Sequence, residues 1–368
     1  MAGNKITYLF GAGASYNAVP ILNSLTSKMR IVVEELKRYA NPPSQMTGRI
    51  PLDDLTSSGQ KIFIFFIEDL QEVSFKSDEY GTIDTYAKKL ELNDEHSELQ
   101  KLKSIVSIFF VIWQGFFYRS KSNQHDSFER RNFSDIDLRY KSLISNYLIK
   151  NPNSIPELDE NVNFVSWNYD HQLESALSLF FKKRLNLTEL NERIRFLPDN
   201  KNKYNQNRIL HLNGISNFWI NDSKMLDRIF QNEDETTLSG IMRRISELYR
   251  PANFSKCTSL INYAWDNNNS KIDKAKRILH QTDILIIIGY SFPTFNRAID
   301  ASLLSKKYNS FKKVVYQDPN ASKELLELFD IGFSNSEGFL VKENGQLQIL
   351  KEAEQFYIPS EYFPQVEK

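Results

Sequence analysis

The hydrophobic pattern opens with a short unbroken run, Ile6-Thr7-Tyr8-Leu9-Phe10, that stops on Gly11-Ala12-Gly13-Ala14-Ser15. A run of β-branched and aromatic residues ending on glycines predicts a strand feeding a tight turn. Beyond it, Leu22, Leu25, Met29, Ile31, Val32, Val33 and Leu36 fall mostly at helical spacing, so the turn leads toward a helix. From residue 38 to 158 little resembles a strand, while Lys61–Leu70 and Leu102–Phe117 carry helical period. Arg119–Ser134, polar and highly charged, predicts an exposed loop within this stretch. Strand-like runs return at Asn163–Trp167, Ile209–Leu212, Ile284–Ile288 and Lys313–Tyr316, each followed by polar or glycine residues. Their continuous hydrophobicity suits a parallel sheet covered on both faces. The predicted architecture is therefore α/β: a Rossmann-like parallel sheet built discontinuously from residues 1–30 and 159–368, split by a large α-helical insertion at 31–158.

With 368 residues and 41% hydrophobic content, the chain can bury one large core or two moderate ones. Lys plus Arg equals Asp plus Glu at 46 each, which gives no general electrostatic footprint for nucleic acid or an anionic membrane and leaves direct nucleic-acid binding open only through a local patch. A single cysteine, Cys257, excludes an intrachain disulfide and a cysteine-rich zinc cluster. With no apolar signal segment behind Met1, a reducing, cytoplasmic location is expected. The longest apolar stretch, Ser104–Tyr118, is interrupted by Ser107, Gln114 and Gly115 and falls short of the ~20 residues that span a bilayer. It predicts a buried helix, and no membrane span is expected.

Candidate chemistry collects at the strand ends. The turn Gly11-Ala12-Gly13-Ala14-Ser15 stands where nucleotide-binding folds bring backbone N–H groups against a pyrophosphate. Tyr16 occupies the place of the third glycine of the dehydrogenase fingerprint, which argues against an ordinary dinucleotide oxidoreductase. Phe164-Val165-Ser166-Trp167-Asn168-Tyr169-Asp170 sets an amide and a carboxylate two residues apart at a strand's carboxyl end. Asn168 suits fixing a ribose hydroxyl or a water, and Asp170 suits orienting it or stabilising positive charge; an Asx turn closing the strand is the alternative. In Ile209-Leu210-His211-Leu212-Asn213-Gly214, strand alternation aims His211 and Asn213 at one face, with a catalytic or a structural role open to the histidine. Gly289-Tyr290-Ser291-Phe292 and the acid Asp318 complete the set of strand ends.

Taken in order, Gly-Ala-Gly-Ala-Ser, Trp-Asn-Tyr-Asp, His-Leu-Asn-Gly and Gly-Tyr-Ser-Phe resemble the sirtuin-like family, and most closely its bacterial NAD-hydrolases of antiphage defence. Gly81-Thr82-Ile83-Asp84-Thr85-Tyr86 also looks like a segment of that group's helical insertion. The resemblance covers about residues 5–26 and 160–320. It implies a phosphate loop at Gly11, Ala12, Gly13 and Ser15, a catalytic asparagine at Asn168 with Asp170 as the acid of the same motif, nucleotide contacts from Gly289 and Ser291, and an adenosine-side strand end at Gln317–Asn320, Asp318 included. Asn213 stands where the family more often has histidine, so the general base is either His211, two positions earlier, or absent. The four zinc cysteines of deacetylating sirtuins are missing, which disfavours deacetylation.

The resemblance thus implies a hydrolase, an enzyme that cleaves NAD+ to ADP-ribose and nicotinamide without a metal, acting as an effector of abortive infection in antiviral defence. It further implies a homo-oligomer working with a second defence protein, such as a hexameric translocase-type ATPase. The apolar stretches Ile62–Phe66 and Ile108–Trp113 offer surface for such contacts or make the insertion's own core. The rivals are a non-catalytic NAD- or ADP-ribose-sensing subunit and a nuclease-type DNA-associated component. Neutral charge and the lack of a clustered metal set disfavour the latter.

Overall fold

Strand β1 (Ile6–Phe10) carries no charge, and all five of its residues are buried, as a central strand covered on both faces requires. The computed structural model describes residues 4–40, 55–116, 136–150, 156–182, 185, 187–197, 208–221, 226–228, 242–243, 245–247, 249, 257–266, 269–305, 307–309, 311–329 and 347–362. The loop expected at Arg119–Ser134 lies outside them. After β1 come a 3-10 turn, Ala12–Ser15, and helices α1 (Leu22–Ala40), α2 (Ser57–Glu79), α3 (Ile83–Leu92), α4 (His96–Phe116) and α5 (Leu138–Tyr147). A hairpin of β2 (Leu148–Lys150) and β3 (Pro156–Leu158) leads into β4 (Val162–Ser166), α6 (Gln172–Ser178), α7 (Leu187–Ile194) and β5 (Ile209–His211). Next follow β6 (Phe218–Asn221), β7 (Leu226–Arg228), β8 (Cys257–Ser259) and α8 (Asn269–His280). The chain continues through β9 (Ile284–Ile288), α9 (Arg297–Leu304), β10 (Lys313–Gln317), α10 (Lys323–Leu328) and β11 (Leu347–Leu350).

Six strands form one sheet in the order β11-β10-β9-β1-β4-β5, and every pairing in it is parallel. The fold is the predicted Rossmann-like α/β sheet flanked by helices. From β1 the chain builds outward through β4 and β5, then returns to the other side of β1 for β9, β10 and β11. That reversal puts the topological switch between β1 and β9, beyond whose carboxyl ends open α/β sheets hold their ligands. The register Phe10↔Ser166 and Phe10↔Ile288 brings Gly11, Trp167 and Gly289 level at that edge.

Alternation along β1 feeds two cores. Ile6, Tyr8 and Phe10 pack with α5 and α6, while Leu9 joins Leu285, Ile287 and Val314 beneath α8 and α9. The helices predicted as one insertion divide between layers. α1 to α4 enclose a core of their own around Met29, Phe63, Phe66, Ile105 and Phe109. By contrast, α5 carries the stripe Tyr140, Leu143, Ile144 and Tyr147, which packs into the sheet's core; Tyr140 lies 5.4 Å from Phe10 and Tyr147 5.8 Å from Tyr8. Ile108–Trp113 is wholly buried in the helical core, whereas Phe65 of the other apolar stretch is 57% exposed. Trp113 Nε1 donates to Ala18 O at 3.0 Å, tying the helical layer to the segment just past the first turn.

Gly81-Thr82 turns out to be a helix start: Thr82 caps α3 by accepting from Thr85 N at 3.1 Å. The antiparallel sheet β7-β6-β8 was not predicted, because strands of three or four residues are too short to show alternation. Among the described residues no helix is long and apolar enough to cross a membrane.

Candidate functional site

The two loops at the switch point touch backbone to backbone. A Cβ on Gly11 would lie 2.5 Å from Gly289 O, and one on Gly13 would lie 2.9 Å from Gly289 Cα, so side chains at either place would part the strands' ends. Gly11 N donates to Ile288 O at 3.0 Å and Gly13 N to Gly289 O at 2.8 Å. These two glycines are therefore explained by loop closure, and their N–H groups are already used. Ala12 is exposed at the start of the 3-10 turn, while Ser15 is buried at its end.

Behind the turn, α5 holds it in place. Arg139 forms a buried pair with Asp137 at 2.5 Å, and the same amino group reaches Ala14 O at 2.8 Å. Its guanidinium lies 5.0 Å over Tyr16 and 4.7 Å over Phe356, a geometry in which ring faces attract the cation. Tyr140, one residue on, places its hydroxyl 3.0 Å from Ser15 Oγ.

Ser15 is the hub that joins β1 to β4. Asn168 Nδ2 donates to Ser15 Oγ at 3.3 Å, and Ser15 also bonds the Asp170 carboxyl. One hydroxyl has one proton, so Ser15 donates to Asp170 and accepts from Asn168 and Tyr140. The Asn168 peptide is pinned as well: its N–H donates to Ser166 Oγ at 3.0 Å, and its carbonyl lies 3.0 Å from His211 Nδ1. Only Asn168 Oδ1, buried and without a protein partner, remains unused. Asp170 also closes the turn into α6, accepting from Gln172 N at 2.9 Å, which is the Asx turn expected as its alternative role. Burial pushes its carboxyl up to about 6, against the lowering effect of its hydrogen bonds from Gln172 and Ser15.

Beneath Asn168, His211 Nε2 lies 2.6 Å from Glu174 Oε1, and both side chains are buried. Burial alone would depress the imidazole, but the Glu174 charge and hydrogen bond, with the Asn168 carbonyl, outweigh it and raise His211 above its ordinary value. Its neighbour His171 goes the other way: burial holds it down to about 4, so it is neutral. A depressed histidine contributes stability above its unfolded value of 6.5 that is lost as pH falls toward 4, while raised Asp170 acts in the opposite sense. We therefore expect His171→Asn to lose less stability than the parent between about pH 7 and pH 5, read from thermal midpoints. Equal losses would overturn the assignment of a neutral buried imidazole.

The remaining predicted residues are placed as follows. β5 ends at His211, and Leu212 and Asn213 form a turn closed by Gly214 at φ +76°, so the alternation that would align Asn213 with His211 stops at the strand end. Asn213 O accepts from Asn262 N at 2.8 Å, and its buried Oδ1 has no protein partner. Ser291 is exposed in the loop after β9, beside Tyr290, whose carbonyl is held by the Tyr316 hydroxyl at 2.8 Å. Asp318 caps its own turn, accepting from Asn320 N at 2.7 Å, and Gln317 donates to Glu352 O and Gln355 O at 2.8 and 2.6 Å. Structure thus gathers Ser15, Asn168, Asp170 and His211 into one network and leaves Asp318 in a turn of its own. Sequence reasoning missed Ser166, Glu174, Tyr140 and the Asp137–Arg139 pair; an acid four positions after Asp170, on the following helix, was the available signal for Glu174.

Among the described residues no group of three or more His, Cys, Asp or Glu side chains is arranged to hold a metal ion. Compared with protein-family models and with curated proteins, the chain matches none.

Proposed function

We propose that this protein is a NAD+ glycohydrolase, and the observation that carries the proposal is Asn168. Asn168 is held at the carboxyl end of β4, next to the switch point, twice through its peptide and once through its side-chain nitrogen, with the side-chain carbonyl oxygen left over. Breaking the bond between nicotinamide and ribose sends the electron pair to the departing ring nitrogen and leaves an oxocarbenium-like sugar. A preorganised carbonyl dipole stabilises that charge or orients the incoming water without reorganising. Water then adds its oxygen to the sugar carbon and gives up a proton. Both nitrogens of His211 are engaged, so in this reading His211 is not the base. Asp170, titrating near 6, has the acidity suited to take that proton.

The exposed Ala12 and Ser291 and half-buried Gly13 and Gly289 line the edge where the pyrophosphate and ribose would lie. The defence setting, a homo-oligomer and a second, gating protein belong to the same proposal. A folded monomer with full, partner-independent turnover would remove the assembly gate. A second reading, a sensor that binds NAD+ or ADP-ribose without turnover, is favoured by asparagine at position 213 and by the engaged His211. Incubating the purified chain with NAD+ and following free nicotinamide separates the two. Release supports the hydrolase; saturable binding with no release leaves the sensor; neither one overturns both.

A further inference from the structure

Strand pairing between β4 and β5 ends at Ser166↔His211, and Leu212 N still donates to Ser166 O at 2.8 Å. The next carbonyl on that side, Asn168 O, lies beyond the ladder, and the His211 ring reaches across to it at 3.0 Å. A carbonyl only accepts, so Nδ1 carries a proton there. On the ring's far side Nε2 meets Glu174 Oε1 at 2.6 Å. Glu174 is fully buried, and its second oxygen has no partner, so the imidazole is its main compensation. The other titratable groups facing the ring are Asp170, which favours its charge, and neutral His171.

We propose that Glu174 and His211 form a charged dyad that fixes the Asn168 peptide, and through it the direction of the free Oδ1, making both of them positioning residues for the cleavage of NAD+. This rests on the reading of Asn168 as the group that meets the substrate. When His211 loses its second proton, it keeps Nδ1–H on the carbonyl and turns a lone pair toward the Glu174 carboxylate. The repulsion releases the ring and with it Asn168. Activity therefore has an alkaline limb above the ordinary histidine range. Glutamine at 174 removes the repulsion, because its amide donates to the bare nitrogen.

The test combines turnover with a direct view of the ring. In E174Q, nicotinamide release at neutral pH stays within about tenfold of the parent and the alkaline limb disappears. Glu174→Ala and H211A lose at least ~10-fold in kcat with KM little changed, because orientation rather than binding is lost. Nitrogen-15 NMR of the His211 ring shows both nitrogens protonated at neutral pH in the parent and a lower pKa in E174Q. A neutral ring in the parent overturns the dyad. An alkaline limb unchanged in E174Q overturns the positioning role. If the parent binds NAD+ without releasing nicotinamide, the hydrolase reading fails by itself. The same limb is then sought in ADP-ribose affinity, where its presence supports the dyad and its absence overturns it.

Discussion

Asn168→Ala is expected to abolish nicotinamide release while the protein stays folded. The side chain makes one protein hydrogen bond, to Ser15 at 3.3 Å, and it lies at a strand end rather than within a core cluster. Losing a bond of that kind costs about 1 kcal/mol, a shift of a few degrees in the thermal midpoint. Losing a preorganised dipole at a site of developing charge costs on the order of 10² to 10³ in turnover. The two readouts therefore separate: circular dichroism reports a folded protein and chromatography reports no nicotinamide. A folded Asn168→Ala protein with full turnover would sink the catalytic assignment. Asp170→Ala is expected to impair activity less cleanly, since Asp170 also accepts from Gln172 N at the start of α6 and its loss disturbs that turn.

How much of this was legible in the sequence follows from the range of each contact. β1 and β9 were predicted with the bounds they have, because a run of five buried residues between polar breaks leaves little room for another element. The strand ends bearing Asn168 and His211 were visible for the same reason. Their partners were not. Asn168 meets Ser15 across 153 positions, Ser15 meets Tyr140 across 125, and His211 meets Glu174 across 37. Periodicity speaks only to neighbours along one element. The error in aligning Asn213 with His211 was of this kind: alternation holds while the chain is extended, and Gly214 ends the extension. Gly11 and Gly13 were assigned to a ligand on local pattern, yet their absent side chains make room for Gly289, 276 or more residues away, an approach that only the sheet order reveals. The α5 stripe falls inside the stretch expected as one helical insertion, and nothing in its own pattern tells which core it joins.

Gly289→Ala is expected to produce the largest loss of stability of any single change at this edge. Gly289 has φ +61°, a conformation that strains any residue with a Cβ by roughly 1–2 kcal/mol. Space makes it worse: the added carbon would stand 2.1 Å from Ala14 N and 2.3 Å from Gly13 C. Both are backbone atoms, so no rotamer change relieves the overlap. The loops after β1 and β9 must separate, breaking the bond from Gly13 N to Gly289 O and loosening the turn that carries Ser15. Strain, overlap and a lost hydrogen bond together place the change at about 4 kcal/mol or more, beyond the usual range for one substitution. Gly81→Ala is the control. Gly81 has φ +80° but nothing within 4 Å of an added Cβ, so it suffers strain alone, about 1 kcal/mol. Urea midpoints of the two variants decide between the explanations: a far larger fall for Gly289→Ala supports the close approach of the two loops. Equal falls would mean that backbone conformation accounts for both glycines and that the loops have room to spare. Where Gly289→Ala remains folded at low temperature, its nicotinamide release should fall with that of Asn168→Ala, because Ser15 no longer holds the amide to which the proposed function assigns the chemistry.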